Sequence, residues 1–442
     1  MPLKDVAYSA YGLASQTPAP VNRLMAAFAD DFRPGVDINL GVGFVNEDTM
    51  PRDQLLKSLE YVLAHPQEHP AALNYGGPRG TQNLIDAIKQ FHIKNNILTH
   101  DILDRQEIIV GSNGASSLLE GIAQLIKPGL IITSDPIYYI YSNYLERRGF
   151  EILAIPEDEN GIRTDLLTEK LADLGHRTSD IRFFFIVTVN NPTGSILSNP
   201  RRKELVQIVT QLSKDLDRKI PIFFDKAYEN LIHDPSVPNP QSPLLYDQEN
   251  LVYEIGSLSK ILAPALRIGY LIGPPSSFIT ALIQKTSDTG FSAPVITQEM
   301  AGYMLNHHVQ DQINRVNQGY QKKARAVRSW IDAQLGDALA ECRGGQAGFY
   351  FYLTFLETQT HEQSPFFNFL ARTTGNADID GPKGNTQSRV IYIPGDFCVH
   401  PNGDLVEAGT RQLRLSYGFE ELAQIEQAIH FLKEAVAYAR QH

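Results

Sequence analysis

The chain has 442 residues, of which 43% are hydrophobic and 20% are charged, and this describes an ordinary soluble globular protein with room for more than one domain. A formal net charge of −11, with no concentrated basic run, argues against a nucleic-acid-binding surface. Cys342 and Cys398 form neither a metal-type spacing nor a disulfide framework, which fits a reducing, cytoplasmic compartment. Residues 1–14 lack the pattern of a secretory signal, and no apolar stretch is long enough to span a membrane.

Apolar runs recur along the chain and alternate with helical or loop segments. This alternation predicts an α/β fold, with a mostly parallel seven-stranded sheet sandwiched by helices. The seven predicted strands are residues 107–110, 130–133, 151–155, 183–189, 220–224, 252–255 and 268–272.

The C-terminal quarter of the chain has a different pattern. Residues 324–339 are predicted to be helical and to lead out of the large domain, and the polar stretch 359–388 is predicted to be a surface insertion. A second, small sheet is predicted from residues 348–354, 390–393 and 412–416. We therefore expect an N-terminal arm with part of a small domain, a large domain, and the rest of the small domain, with bounds at residues 1–65, 66–320 and 321–442.

A turn of polar residues, Asn190-Asn191-Pro192-Thr193-Gly194, follows the fourth predicted strand. The Asn191 amide could donate a hydrogen bond to a ring hydroxyl of a cofactor. A plain turn is the alternative, because Asn-Pro and Thr-Gly both favour turns.

Asp225 ends the fifth predicted strand, Pro221-Ile222-Phe223-Phe224. Open α/β sheets bind ligands at the carboxyl ends of their strands, so this position favours a functional carboxylate. An aspartate there can pair with a protonated pyridine nitrogen and keep the ring an electron sink. A helix N-cap is the alternative.

Lys260 lies in a turn of small residues between the last two predicted strands. A lysine in a semi-buried polar turn can lose its proton and become an amine nucleophile, whereas most lysines are solvated surface charges. Ser257, Ser259 and Arg267 are suited to gripping a phosphate. A lysine and a phosphate grip are what pyridoxal phosphate needs, for an imine to its aldehyde and an anchor for its phosphate.

Together these segments resemble the class I/II aminotransferases, which are pyridoxal-phosphate enzymes with the aspartate-aminotransferase fold. The motifs come in the family's order and spacing, since Asn191 precedes Asp225 by 34 residues and Asp225 precedes Lys260 by 35. The most similar branch holds 2-aminoadipate and kynurenine aminotransferases. The resemblance covers nearly the whole chain and implies the type I pyridoxal-phosphate fold, with a smaller α+β domain built from both chain ends.

The resemblance also implies roles for individual residues. Tyr138 matches the aromatic residue that stacks on the cofactor ring, and Tyr228 matches the tyrosine that bonds the ring hydroxyl. The residues implied to hold the cofactor are Tyr75, Gly114, Ala115, Ser116, Tyr138, Asn191, Asp225, Tyr228, Ser257, Ser259, Lys260 and Arg267. Those implied to act in catalysis are Lys260, Asp225 and Tyr138, and those implied to bind substrate are Gly43, Asn191 and Arg414.

Several of these matches have simpler readings. Gly114 to Ser116 follow a predicted strand, and N–H groups at a helix N-terminus attract anions, but Asn113 or Ser112 could equally cap an ordinary helix. Tyrosines like Tyr138 are more often core residues.

Two further matches, an arginine and a tyrosine, concern the substrate carboxylate and a partner subunit. Arg414 resembles the arginine that binds the substrate α-carboxylate as a bidentate pair, and Arg411 is a competing candidate. Tyr75 matches a tyrosine that reaches the cofactor phosphate of a partner subunit, so the resemblance implies a homodimer with shared active sites.

The activity implied is transfer of an amino group between an L-α-amino acid and a 2-oxo acid, with 2-oxoglutarate the expected acceptor and Lys260 as general base and acid. A lyase, decarboxylase or synthase would share the same cofactor site. A non-catalytic sensor is disfavoured by the acidity and by the lack of an N-terminal helix-turn-helix extension. A nucleotide enzyme is disfavoured because Gly41-x-Gly43 lacks a third glycine at Asn46.

Departures from the family pattern concern the substrate more than the cofactor. Ala265 replaces a usual glycine, Lys226 and Ala227 follow Asp225 where acidic or proline residues are common, and Gly43-Phe44-Val45 replaces Gly-x-Pro. The last of these lies near the expected substrate pocket.

Overall fold

A computed structural model describes residues 6–382 and 386–442. The expected stretches 1–65 and 359–388 each include residues outside these ranges. The strands are β1 Ile38–Asn39, β2 Glu107–Val110, β3 Leu130–Asp135, β4 Glu151–Asp158, β5 Gly161–Ile162, β6 Ile181–Val187, β7 Ile222–Asp225, β8 Val252–Ser257, β9 Gly269–Gly273, β10 Leu339–Gly344, β11 Tyr350–Phe355, β12 Val390–Ile391, β13 Ile393–Pro394 and β14 Gln412–Ser416.

Helices surround the strands. They are α1 Ala10–Ala14, α2 Pro20–Ala29, α3 Arg52–Ala64, α4 Gln82–Lys94, α5 His100–Leu103, α6 Gly114–Leu125, α7 Tyr139–Arg147, α8 Thr164–Leu174, α9 Asn199–Asp215, α10 Ser277–Asp288, α11 Val295–His307, α12 Val309–Leu335, α13 Pro365–Ala371, α14 Ala377–Asp380, α15 Val406–Gly409 and α16 Leu422–Ala439. Within the described ranges, no helix is both long and apolar enough to cross a bilayer.

The large sheet has the strand order β2-β9-β8-β7-β6-β3-β4-β5. Strands β8, β7, β6, β3 and β4 pair in parallel, whereas β9 is antiparallel to both of its neighbours. All seven predicted strands are present, and the two-residue β5 is an eighth that sequence patterning did not predict. The mixed α/β fold is therefore confirmed.

The centre of this sheet is buried on both faces. Strands β6 and β7 carry Phe183, Phe184, Phe185, Phe223 and Phe224, each at most 1% exposed. Neighbouring residues of a strand point to opposite faces, so a continuous aromatic run requires helices on both sides. This burial holds the carboxyl ends of the parallel strands in fixed positions.

A second sheet has the order β10-β11-β14-β13 and is antiparallel. The N-terminal strand β1 pairs in parallel with β12, so the two ends of the chain meet beside this sheet. Helix α12 runs without a break through residue 320, and the domain bounds at residues 65 and 320 stay predictions.

The prediction that residues 359–388 form a surface insertion is wrong for part of that stretch. Helix α13 lies inside it and buries Phe366 and Leu370 completely. The Phe366 ring packs 5.4 Å from that of Phe355 in β11. The apolar residues of α13 recur at helical spacing, and this short pattern is overlooked when the segment is judged by its polar flanks.

Candidate active site

The predicted residues meet at the carboxyl edge of the large sheet. Strands β6, β7 and β8 are parallel, so the segments that follow them emerge side by side. They enclose a cavity of about 160 Å³. Its walls include Ala115, Ser116, Tyr138, Asn191, Asp225, Tyr228, Ser257, Ser259, Lys260 and Arg267. Ten of the predicted residues, drawn from five segments of the chain, are thus brought into one cavity.

Lys260 is partly buried in this cavity. Its Nζ donates a hydrogen bond of 2.9 Å to the Gly43 carbonyl and lies 5.5 Å from the ring centroid of Tyr228. Burial, with the positive charges of Arg414 and Arg267, lowers the pKa of Lys260 to about 8. Its amine is therefore available as a nucleophile and base near neutral pH.

Asp225 is 5% exposed at the end of β7. Its Oδ1 accepts a hydrogen bond of 2.9 Å from the Ala227 N–H, a contact that also fits the alternative role of a local cap. Burial raises the pKa of Asp225 to about 6, and that one N–H bond opposes the shift. A buried carboxylate held by a single neutral donor suits a cationic partner such as a protonated ring nitrogen.

An anion cradle lies between the start of α6 and Arg267. The Arg267 Nε donates to Asn113 Oδ1 at 2.7 Å, and the Gly114 N–H donates to the Arg267 carbonyl at 2.7 Å. Gly114 has φ +65°, and a Cβ there would lie 3.1 Å from the Arg267 guanidinium. The side chain of Asn113 thus holds the arginine. It makes no capping hydrogen bond to α6, which was the alternative role that the sequence suggested.

Arg267 itself has φ 54°, a left-handed conformation that is uncommon for a residue other than glycine. This conformation, the glycine at the helix start and the first-turn N–H groups of Ala115 and Ser116 together suit a phosphate group.

Arg414 is 1% exposed in β14. Its Nη1 donates to Asn191 Oδ1 at 2.7 Å, and its Nη2 donates to the Gly41 carbonyl. Its Nε is buried and has no hydrogen-bond partner among the described residues. Arg411, the competing candidate, instead donates to the Leu356 carbonyl, and neither arginine is among the residues that line the cavity.

Tyr350 is a residue of this region that sequence reasoning missed. Its hydroxyl lies 3.0 Å from that of Tyr228, and the Arg414 guanidinium carbon lies 4.5 Å from its ring centroid. Tyr350 falls in a strand predicted only from its apolar character, so no local signal marked it as functional.

Tyr75 is not brought to the cavity. It is 84% exposed, and its ring lies 6.3 Å from that of Phe291. Its implied role as a phosphate contact in a partner subunit stays a prediction.

A larger groove, about 940 Å³, lies behind the Asn191–Gly194 turn and contains Arg325 and Arg343. It contains none of the predicted residues. The chemistry of the lining residues therefore identifies the smaller cavity as the candidate active site. A lysine with a lowered pKa, a buried carboxylate and an anion cradle meet there.

Comparison with known proteins identifies the family of the chain. Residues 36–367 match the family model for aminotransferase class I and II. The chain belongs to this family and is a pyridoxal-phosphate-dependent aminotransferase.

The structure is similar to those of a multiple substrate aminotransferase from Thermococcus profundus and a kynurenine aminotransferase from Pyrococcus horikoshii. The first has a TM-score of 0.81 at 21% identity, covering 98% of each chain. The second has a TM-score of 0.80 at 21% identity, covering 96% of each chain, and was solved with PMP.

A curated relative carries a different name. YisV of Bacillus subtilis, named as an uncharacterized HTH-type transcriptional regulator, is 25% identical over 89% of this chain and 72% of its own length.

Proposed function

We propose that this protein transfers an amino group between a bulky aromatic or aliphatic L-α-amino acid and a 2-oxo acid, with 2-oxoglutarate as the acceptor. One observation carries the proposal. Arg414 and Lys260 both donate to carbonyls of one short segment, at Gly41 and Gly43. A carboxylate held by Arg414 would therefore place its Cα within reach of the lysine amine.

The cofactor, when bound, supplies an aldehyde that takes up the amino group and a ring that accepts electrons. Lys260, Ser257, Ser259 and Arg267 are proposed to hold its two ends. Asp225 is proposed to keep the ring nitrogen protonated. These roles follow the charges and donors that line the cavity.

Lys260 is proposed to move the proton at the substrate Cα. Its pKa of about 8 lets the amine accept a proton and return it, because neither form is strongly favoured near neutral pH. Gly43 orients the amine through its carbonyl, 2.9 Å from Nζ. Lys260 is partly buried, which strengthens the electrostatic contacts of its amine.

Aromatic residues support the substrate class. The Lys260 Nζ lies 5.5 Å from the Tyr228 ring centroid and 5.7 Å from that of Phe349. Phe44 is 62% exposed, and its ring lies 6.1 Å from that of Phe419. An apolar side chain fits such surroundings better than a charged one.

A panel of L-amino acids supplied with 2-oxoglutarate tests the activity. We expect glutamate and the matching 2-oxo acid to form, fastest with aromatic or large aliphatic donors. Release of carbon dioxide, ammonia or a thiol without any 2-oxo acid would instead support a lyase or decarboxylase.

Arg414→Ala tests the carboxylate site, with Arg411→Ala as its matched control. A charge-assisted bidentate contact is worth about 1.5–3 kcal/mol, so the KM of donor and acceptor should rise together by about one to two decades. Cofactor binding should survive, and Arg411→Ala should behave like the parent. Unchanged donor binding in Arg414→Ala would exclude this arginine.

A second candidate function is a non-catalytic sensor, and the name of the YisV relative, an HTH-type transcriptional regulator, favours it. Incubation with an amino acid separates the two. The enzyme should release a 2-oxo acid and convert its cofactor to the amino form. A binding domain should show a spectral change that reverses when the amino acid is removed by dialysis.

We also propose a homodimer with shared sites. Leu73 and Tyr75 are 81% and 84% exposed, and a partner subunit would cover them. Sedimentation should show a dimer across concentrations, and Tyr75→Ala should weaken cofactor binding. A fully active monomer would contradict the proposal.

A further inference from the structure

Two buried tyrosines join the two sheets at the cavity. Tyr350 begins β11 in the small sheet, and Tyr228 follows β7 of the large sheet. They are 1% and 7% exposed, and their hydroxyl oxygens are 3.0 Å apart. Among the described residues, this bond is the only one recorded for either hydroxyl. A buried hydroxyl rarely gives up its partner, because an unpaired one is costly.

Gly43 lies close to both tyrosine hydroxyls, so a side chain at this position would meet them. A Cβ at Gly43 would lie 2.6 Å from the Tyr350 Oη and 3.9 Å from the Tyr228 Oη. The first distance is too short for any real contact, whereas the next Tyr350 atom, Cζ, is 3.8 Å away and would be tolerated. Only the hydroxyl of Tyr350 therefore requires a glycine here. The Gly43 carbonyl also accepts the Lys260 hydrogen bond.

The direction of the tyrosine bond follows from the proposed function, on which this inference rests. If Tyr228 donates its proton to the ring oxygen of the cofactor, its own oxygen is left to accept. Tyr350 must then be the donor. Burial raises the pKa of Tyr350, so its proton stays in place over the working range. A hydroxyl that accepts one hydrogen bond donates a stronger one.

We propose that the Tyr350 hydroxyl is a positioning group, which donates to Tyr228 and so strengthens the bond of Tyr228 to the cofactor ring oxygen. Gly43 is required because it leaves room for this hydroxyl. The pair connects the substrate arginine to the cofactor site, since Arg414 stacks on the Tyr350 ring at 4.5 Å.

Other groups around the pair do not replace this role. Arg414 and Lys260 are the charged groups that face it, and both are donors. Tyr138 and Tyr139 lie nearby, and burial raises the pKa of each, so they stay neutral. Asp225 and Arg267 are the remaining titratable groups that line the cavity, and they are proposed to face the ring nitrogen and the phosphate.

The test uses the cofactor-loaded protein without substrate, and follows the visible absorbance of the bound cofactor against pH. A weaker donor to the ring oxygen disfavours its deprotonated form, so Tyr350→Phe should raise the pH midpoint by about 0.3 to 1 unit. Tyr352→Phe is the control, because Tyr352 is buried on the same strand but bonds to Gln412. It should leave the midpoint unchanged.

Gly43→Ala supplies a second, independent route to the same change. Its Cβ displaces the Tyr350 hydroxyl, so the midpoint should rise in the Tyr350 background. In the Tyr350→Phe background the same change should have no further effect. The thermal stability of the cofactor-free protein should show the same non-additivity, because the clash does not involve the cofactor.

Equal midpoints for Tyr350→Phe and Tyr352→Phe would overturn the inference while leaving the proposed activity intact. Additive effects of Gly43→Ala and Tyr350→Phe would overturn it as well. Parent protein that takes up no pyridoxal phosphate would overturn both the inference and the proposed function.

Discussion

Two lysines that the fold takes out of bulk water have opposite surroundings. Lys226 lies directly after Asp225, and its Nζ contacts Glu254 at 2.9 Å and Glu229 at 3.0 Å. Lys260 has a carbonyl as its acceptor, and the charges that act on it are those of two arginines, Arg414 and Arg267. Burial alone would lower the pKa of both residues.

Whether the pKa of each lysine is raised or lowered depends on the sign of the neighbouring charges. The carboxylates of Glu229 and Glu254 outweigh the burial of Lys226 and raise its pKa. Arg414 and Arg267 add to the burial of Lys260 and lower its pKa to about 8. Burial does not by itself make a lysine reactive. A lysine paired with acids stabilises the fold, and a lysine beside cations is prepared for chemistry.

Replacing Lys260 should have the largest effect on activity. Because general acid–base catalysis contributes about 10²–10⁴-fold, Lys260→Ala should lose at least this much transamination. Borohydride reduction of the loaded parent, followed by peptide mapping, should label Lys260 and not Lys226. A label on Lys226 would reverse the assignment.

Replacing Lys226 should lower the stability of the fold more than it lowers the turnover rate. Lys226→Met leaves Glu254 buried without its cation, and breaking a buried pair in this way costs about 3–5 kcal/mol of unfolding free energy. Denaturant titration measures this loss. The control is Lys214→Met, since Lys214 pairs with Glu249 at the surface and should cost at most about 1 kcal/mol. Equal effects of the two changes would mean that the buried network is not a stabilising one.

Asp225 directly precedes Lys226 but differs from it in its partners. Among the described residues, Asp225 accepts a hydrogen bond from the Ala227 N–H and forms no ion pair. Removing one preorganised electrostatic contact costs about 10²–10³ in turnover, so Asp225→Ala should lose most activity while some cofactor stays bound. Steady-state rates and cofactor absorbance, measured on the same samples, separate the two effects. Near-normal turnover would reduce Asp225 to a local cap.

Lys260 and Lys226 should also differ, by a smaller effect, in how the reactivity of their amines depends on pH. A lysine amine reacts only after losing its proton, so modification of Lys260 in the cofactor-free protein should speed up as pH rises and level off above about 8. Lys226 should stay protonated and unreactive through this range, because its pKa is raised. Mass spectrometry of amine-modified peptides between about pH 6 and 11 distinguishes them. A Lys260 midpoint at the ordinary value of 10.5 would show that its surroundings do not act as proposed.

Much of the fold was predictable because the signals are local. Each of the seven predicted strands of the large sheet is a short apolar run. Asn191, Asp225 and Lys260 follow such runs closely, so they could be placed without a structure. Parallel strands then bring such ends to one edge of the sheet. The helix α13 was missed because its pattern is short and its flanks are polar.

Contacts between distant segments could not be predicted in this way. Lys260 meets Gly43 across 217 positions, and Tyr228 meets Tyr350 across 122. No periodicity relates such residues, since their approach depends on how the small sheet packs against the large one.

Residue type and position after a strand are local properties, so most of the candidate site residues could be predicted from the amino-acid sequence alone. The packing of distant segments set which of them lie together. It placed Arg414 rather than Arg411 beside Asn191, and it surrounded Lys260 with cations and Lys226 with acids. The physical reason is that a pKa and a hydrogen bond depend on distance and solvent exclusion, and only the packed fold sets these.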